Sequence, residues 1–149
     1  DSQLFNSTVY DEIAFGPRQL GLTEEEVSQR VQDTLSLLKI EDLRDRVPYQ
    51  LSGGEKKKVA FASIMVTNPD VYILDEPFNN LSKEYEEFFR ELLHELHSAG
   101  KTIIMSAHHF KHLHHEKADV LLFEDGKADF FPAQEVLNNQ QVIERLSHY

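Results

Sequence analysis

Val71-Tyr72-Ile73-Leu74-Asp75-Glu76-Pro77 is the stretch on which the fold turns. Four apolar residues run uninterrupted into two carboxylates and a proline. A run so short, closed by turn residues, reads as a strand buried in a parallel sheet. Downstream, Tyr85, Phe88, Phe89, Leu92, Leu93 and Leu96 mark one face of a helix that ends at Gly100. Thr102–Met105 is a second buried strand and Val120–Phe123 a third, which Asp125-Gly126 turns into a partner near Ala128–Phe131. Strands alternating with helices in this way indicate an α/β layered sheet.

Upstream of Val71 the pattern is helical. Thr8 with Asp11 resembles a capping box and opens a short helix expected to stop at Gly16-Pro17. Thr23 with Glu26 is a better box, followed by Val27, Val31, Leu35 and Leu38 at helical spacing. Pro48 breaks the chain before Leu51-Ser52-Gly53-Gly54-Glu55, which leads into an apolar helix ending near Asn68-Pro69. Residues 1–68 therefore read as a helical subdomain and 69–149 as an α/β portion.

The 149 residues suffice for one domain with a core. Hydrophobic content of 40% and charged content of 28% fit a globular chain rather than a disordered one. A formal net charge of −11 argues against binding nucleic acid through a basic surface. There is no cysteine, so neither a disulfide framework nor a thiolate metal site. No apolar run is long enough to span a membrane and no signal-peptide pattern opens the chain, which places it in the cytosol or on the cytosolic side of a membrane.

Three segments carry chemistry. Ser52-Gly53-Gly54-Glu55 reads as a capping box, with Ser52 as N-cap and Glu55 reaching back. Two glycines in a first turn each cost roughly 1 kcal/mol of helix propensity, and they would let an anion approach free backbone N–H groups at the positive helix end. The two readings are compatible. Asp75-Glu76 at a strand end can divide the work: one carboxylate holds Mg²⁺ and the other accepts a proton from an attacking water. On its own the pair is equally an acidic loop start. His108, at the edge of the strand Thr102–Met105, could donate to a phosphate oxygen, or be one surface histidine among eight.

Order and spacing decide between these readings. A Leu-Ser-Gly-Gly-Glu helix start, an apolar strand ending Asp-Glu-Pro and a strand-end histidine, in that sequence, resemble the ATP-binding cassette (ABC) ATPases. Asp1–Phe5, Thr8-Val9, Ala14–Pro17 and the segment Pro132–Leu137 are similar to the energy-coupling-factor and cobalt/nickel importer branch. The resemblance implies a P-loop NTPase parallel sheet with a helical subdomain and ATP and Mg²⁺ as ligands. It assigns Ser52, Gly53, Gly54 and Glu55 to the signature motif, which meets the γ-phosphate of ATP held by an opposite subunit. It assigns Asp75 to Mg²⁺, Glu76 to general base and His108 to switch histidine. It also implies a second ATPase subunit, transmembrane subunits whose coupling helices rest near Leu4-Phe5 and Phe15–Pro17, and a place on the cytoplasmic face of the cell membrane.

Departures accompany it. The P-loop pattern G-x-x-x-x-G-K-[ST] is absent, and Ala99-Gly100-Lys101-Thr102 is no substitute because Glu95 takes the first glycine position and the order runs helix to strand. The Walker A strand and antiparallel β subdomain are thus expected to be missing, leaving apolar strand edges open between Met105 and Val120, and the 149 residues are expected to be a fragment inactive alone. Gln3 is not a match for the Q-loop glutamine. Ser82 stands where the D-loop usually carries aspartate, which puts communication between two nucleotide sites in doubt and leaves an asymmetric pair open. His108, His109, His112, His114 and His115 could present imidazoles to Ni²⁺, Co²⁺ or Zn²⁺, although a solvated helix is the favoured reading. The competing functions are a soluble non-transport ABC ATPase and a non-enzymatic fragment that complements a partner.

Overall fold

The computed structural model describes residues 7–108 and 117–147, with the Leu137 side chain excepted. In chain order it contains helices α1 (Val9–Gln19), α2 (Glu24–Leu37) and α3 (Gly53–Met65), strand β1 (Val71–Asp75), helix α4 (Lys83–Ser98), strands β2 (Thr102–Ser106), β3 (Val120–Glu124) and β4 (Lys127–Phe131), and helices α5 (Ala133–Asn138) and α6 (Gln140–Leu146). Short 3₁₀ turns occupy Glu41–Leu43 and Pro48–Gln50. This mixture of helices with short parallel and antiparallel sheets agrees with the α/β expectation. The chain forms two compact units: Asp1–Tyr72 with Asn80–Ile103, and Ile73–Asn79 with Ile104–Tyr149.

The first unit is built on caps and periodic apolar residues. Thr8 Oγ1 accepts from the Asp11 N–H at 3.1 Å and donates to Asp11 Oδ2 at 2.7 Å, fixing the start of α1. The helix does not stop at Gly16-Pro17 but continues to Gln19. Proline clashes with the Cβ and backbone of the residue before it when that residue is helical, and glycine removes half of that clash. Gly16 is small for a second reason: a Cβ there would lie 2.8 Å from Thr67 Cγ2. In α2 the Thr23–Glu26 box is complete, and Val27, Val31, Leu35 and Leu38 are fully buried. Phe61 of α3 stacks on Tyr72 of β1, with ring centroids 5.8 Å apart, and meets Phe89 of α4 edge-on at 5.6 Å. Lys58 Nζ donates to the Leu38 carbonyl at 3.0 Å and lies 4.1 Å from the Phe88 ring centroid, and burial pushes its pKa down.

β1 and β2 form a two-stranded sheet. The Thr102 N–H donates to the Asp70 carbonyl at 2.9 Å at one end, and Ser106 bonds Asp75 at the other, so starts lie by starts and the strands are parallel. Both were expected to be buried. Instead Tyr72 is covered while Ile73 is 76% exposed and Ile104 53%. A parallel strand is buried when both faces of its sheet are covered, and here one face of β1 is open.

In the second unit, β3 and β4 pair antiparallel, with Val120 opposite Phe131 and Glu124 opposite Lys127. Asp125 (φ 48°) and Gly126 (φ 74°) make the two-residue connection, both left-handed as a type I′ hairpin requires. One face of the hairpin packs Val120, Leu122 and Phe131 on Val136, Val142, Ile143 and Leu146 of the two terminal helices. The other exposes Leu121, Phe123 and Phe130. Arg145 ties α6 to the hairpin through Glu124 at 3.0 Å and Asp129 at 2.6 Å.

Candidate functional site

Asp75 is the last residue of β1, and Glu76 leaves the strand with φ 45°. A residue with a Cβ rarely adopts that conformation, at a cost on the order of 1–3 kcal/mol, and holds it only where neighbours fix it. The neighbours come from the end of β2. The Glu76 N–H donates to Ser106 Oγ at 3.0 Å, and the same hydroxyl donates to Asp75 Oδ1. His108 Nε2 lies 2.6 Å from Glu76 Oε1, and Asn79 Nδ2 donates to Glu76 Oε2 at 2.8 Å. Both oxygens of the Glu76 carboxylate are therefore engaged. Residues 76–79 and 106–108 line a hollow of about 130 Å³, into which His108 stands 80% exposed.

The structure thus brings Asp75, Glu76 and His108 together at the ends of β1 and β2. Asp75 offers a solvent-exposed carboxylate with a hydroxyl beside it, an all-oxygen set suited to a hard cation. No group of three or more His, Asp or Glu forms a cage among the described residues. That donor set fits Mg²⁺, which uses one or two carboxylates and completes its shell with water and phosphate. Of the histidine cluster, His109, His112, His114 and His115 lie outside the described residues.

Ser52-Gly53-Gly54-Glu55 belongs to the first unit. Ser52 is the N-cap of α3: its hydroxyl accepts from the Glu55 N–H at 3.3 Å, while Glu55 Oε2 accepts from the Ser52 N–H at 2.8 Å. Those bonds, the backbone one first, hold the Glu55 carboxyl below its ordinary range. The two glycines differ. A Cβ at Gly53 would meet nothing within 4 Å, whereas a Cβ at Gly54 would lie 2.8–2.9 Å from the ring of Tyr85. Gly53 is open to an approaching group, and Gly54 makes room for α4.

Ser82 is the N-cap of α4 and accepts from the Tyr85 N–H at 3.4 Å, so serine keeps the cap that aspartate would make but not its charge. Lys101 pairs with Asp70 at 3.3 Å, and Gly100 (φ 90°) closes α4, a helix-to-strand turn as its sequence requires. Ser106, Asn79 and Tyr85 were not singled out as site residues from sequence. The partners of Ser106 and Tyr85, Asp75 and Gly54, lie about thirty positions away, while Asn79 meets Glu76 only three residues back, and neither a serine at a strand end nor an asparagine in a turn carries a signal that would single it out.

Comparison with known proteins agrees with this geometry. The family profile described as "ABC transporter" matches residues 1–79. A nickel import ATP-binding protein, LarO, of Lactiplantibacillus plantarum is 54% identical over 111 residues, covering 74% of this chain and 46% of that protein. The energy-coupling factor transporter ATP-binding protein EcfA of Carboxydothermus hydrogenoformans is 35% identical over 145 residues, covering 97% of this chain and 54% of its own. The chain thus spans about half the length of the curated relatives it matches. Among solved structures, cbiO1 of Clostridium perfringens, part of the ABC transporter complex cbiONQ, superposes with a TM-score of 0.80 at 33% identity, covering 97% of this chain and 59% of that one. No helix among the described residues is long and apolar enough to cross a membrane. Motif order, site geometry and these likenesses coincide, and the chain belongs to the ABC transporter family, with the sequence of its ATPase domain.

Proposed function

We propose that this chain is part of an ATP-hydrolysing subunit that energises an importer of a metal ion or vitamin. The observation that carries the reading is the convergence of Asp75, Glu76, Ser106 and His108 at the ends of two parallel strands. Similarity to a nickel import subunit and to an energy-coupling factor subunit supports the cargo class. Residues 1–68 act as the helical, signature-bearing subdomain and 69–149 as the portion of the core that carries the hydrolytic residues.

In this reading Glu76 accepts the proton of the attacking water, and His108 holds the carboxylate until a phosphate competes for its imidazole. His108 and Asn79 each take one site on the two Glu76 oxygens, and the remaining lone pairs stay available for the proton. Asp75 holds Mg²⁺, which when bound neutralises charge on the phosphates. Ser52, Gly53 and Gly54 would meet ATP across a dimer interface, where the positive end of α3 favours an anion. The partners are a second ATPase subunit and transmembrane subunits at the cytoplasmic face of the cell membrane, the latter resting near Phe15–Pro17. The 149 residues by themselves turn over no ATP, because no P-loop pattern occurs in them.

The test is Glu76→Gln in a protein that carries this chain together with a P-loop. Turnover falls by about three orders of magnitude while ATP is still bound. Undiminished hydrolysis would refute the assignment.

A further inference from the structure

Ser106 enters the reading above only by its place at the site, with no task of its own, yet its hydroxyl touches both residues on which that reading depends. We infer that Ser106 is the positioning residue that sets the Asp75 carboxylate for its cation and holds the Glu76 backbone in its left-handed turn. The inference rests on the proposed roles of Asp75 and Glu76.

A serine hydroxyl has one proton to give and two lone pairs to accept with. Here the proton goes to Asp75 Oδ1, and a lone pair takes the Glu76 N–H at 3.0 Å. One oxygen therefore links the last residue of β1 to the first beyond it, from a position 30 and 31 residues along the chain. Two consequences follow. Oδ1 already accepts a hydrogen bond, which leaves Oδ2 the freer oxygen and would disfavour the bidentate grip that Ca²⁺ often takes, while Mg²⁺ would need only one carboxylate oxygen. And the Glu76 N–H, which would otherwise have no strand partner at the turn, is satisfied where φ is 45°. Hydrogen bonds to charged groups are among the stronger ones, so losing this one is felt at the metal.

The experiment uses the protein carrying this chain with its P-loop, and compares Ser106→Ala, Ser106→Val and Ser106→Thr. Valine and threonine share a shape and differ in the hydroxyl. The probe is Mn²⁺, titrated by electron paramagnetic resonance with a non-hydrolysable ATP analogue present, and Ca²⁺ is the competitor. The expected result is about tenfold weaker Mn²⁺ binding, with relatively better competition by Ca²⁺, for alanine and valine but not threonine. ATP affinity without metal is unchanged. Equal Mn²⁺ binding by the valine and threonine variants would overturn the inference, as would wild-type binding by the alanine variant. Should Glu76→Gln abolish turnover while Ser106→Val binds Mn²⁺ normally, the hydrolytic reading stands and only the role of Ser106 falls.

Discussion

The ring of Tyr85 occupies the space where Gly54 would otherwise carry a side chain. With the ring 2.8–2.9 Å from an added Cβ, the glycine is what lets α4 lie against the first turn of α3. The neighbouring Gly53 has no such neighbour. Adjacent glycines of one motif thus answer to different demands, one to internal packing and one to whatever approaches from outside.

Gly54→Ala should therefore destabilise the protein by about 1–3 kcal/mol, the usual consequence of overpacking. Gly53→Ala should leave stability within about 0.5 kcal/mol or raise it slightly, since alanine is the better helix former. Tyr85→Ala combined with Gly54→Ala should recover part of the loss to overpacking. Urea melts of five proteins, the wild type, Gly53→Ala, Gly54→Ala, Tyr85→Ala and the double variant, measure these effects, and additivity of the double variant would contradict the contact.

Acidification acts on the caps. Glu55 is held below its ordinary value of 4.5, first by the Ser52 N–H and then by the Ser52 hydroxyl. A folded-state value below the unfolded one contributes stability that is fully present above 4.5 and is lost as pH falls through the lowered value. Glu26 is lowered by Thr23 in the same way. The denaturation midpoint should thus keep the full contribution of these caps, with no pH dependence from them, near neutrality and drop in acid. Glu55→Gln keeps an oxygen for the Ser52 N–H but does not titrate, and should shallow the acid limb in a pH series of melts.

The hairpin connection is equally testable. Gly126 sits at φ 74°, where a Cβ costs about 1–2 kcal/mol. Gly126→Ala should lower stability by that amount, and Gly126→Val by more because of its β-branch. Asp125→Asn should be nearly neutral, since asparagine also tolerates the left-handed region. Chemical denaturation followed by far-ultraviolet circular dichroism would show the ranking.

A surface residue tests the assembly. Phe15 is 55% exposed on α1, beside Gly16 and Pro17. If membrane subunits rest there, Phe15→Asp should reduce co-purification with them at least tenfold in detergent, while the melt shifts by no more than about 0.5 kcal/mol. Unchanged recovery of the complex would remove this surface from the interface.

Much of this was legible in the sequence because the signals are local. Val27, Val31, Leu35 and Leu38 are spaced for one helix face and bury on it. Asp125-Gly126 specifies its own turn, and the boxes at Thr23 and Ser52 close within four residues. What was not legible depends on distant partners. The Gly16-Pro17 stop failed because proline after glycine leaves the helix intact, and Thr67, fifty-one positions on, needs the glycine. Ser106 and Tyr85 acquire meaning only once β2 lies along β1 and α4 along α3. Val71, Ile73 and Ile104 read as buried because apolar runs are usually covered, and residue order says nothing about what covers them. The helices α5 and α6, each under two full turns or near it, carry too few residues for a period to emerge.

Arg145 fastens α6 to the β3–β4 hairpin through Glu124 and Asp129, and all three side chains are open to solvent. Dissolved ions weaken such a clasp by screening it. In concentrated salt the last helix of this unit should therefore fray before its apolar layer gives way.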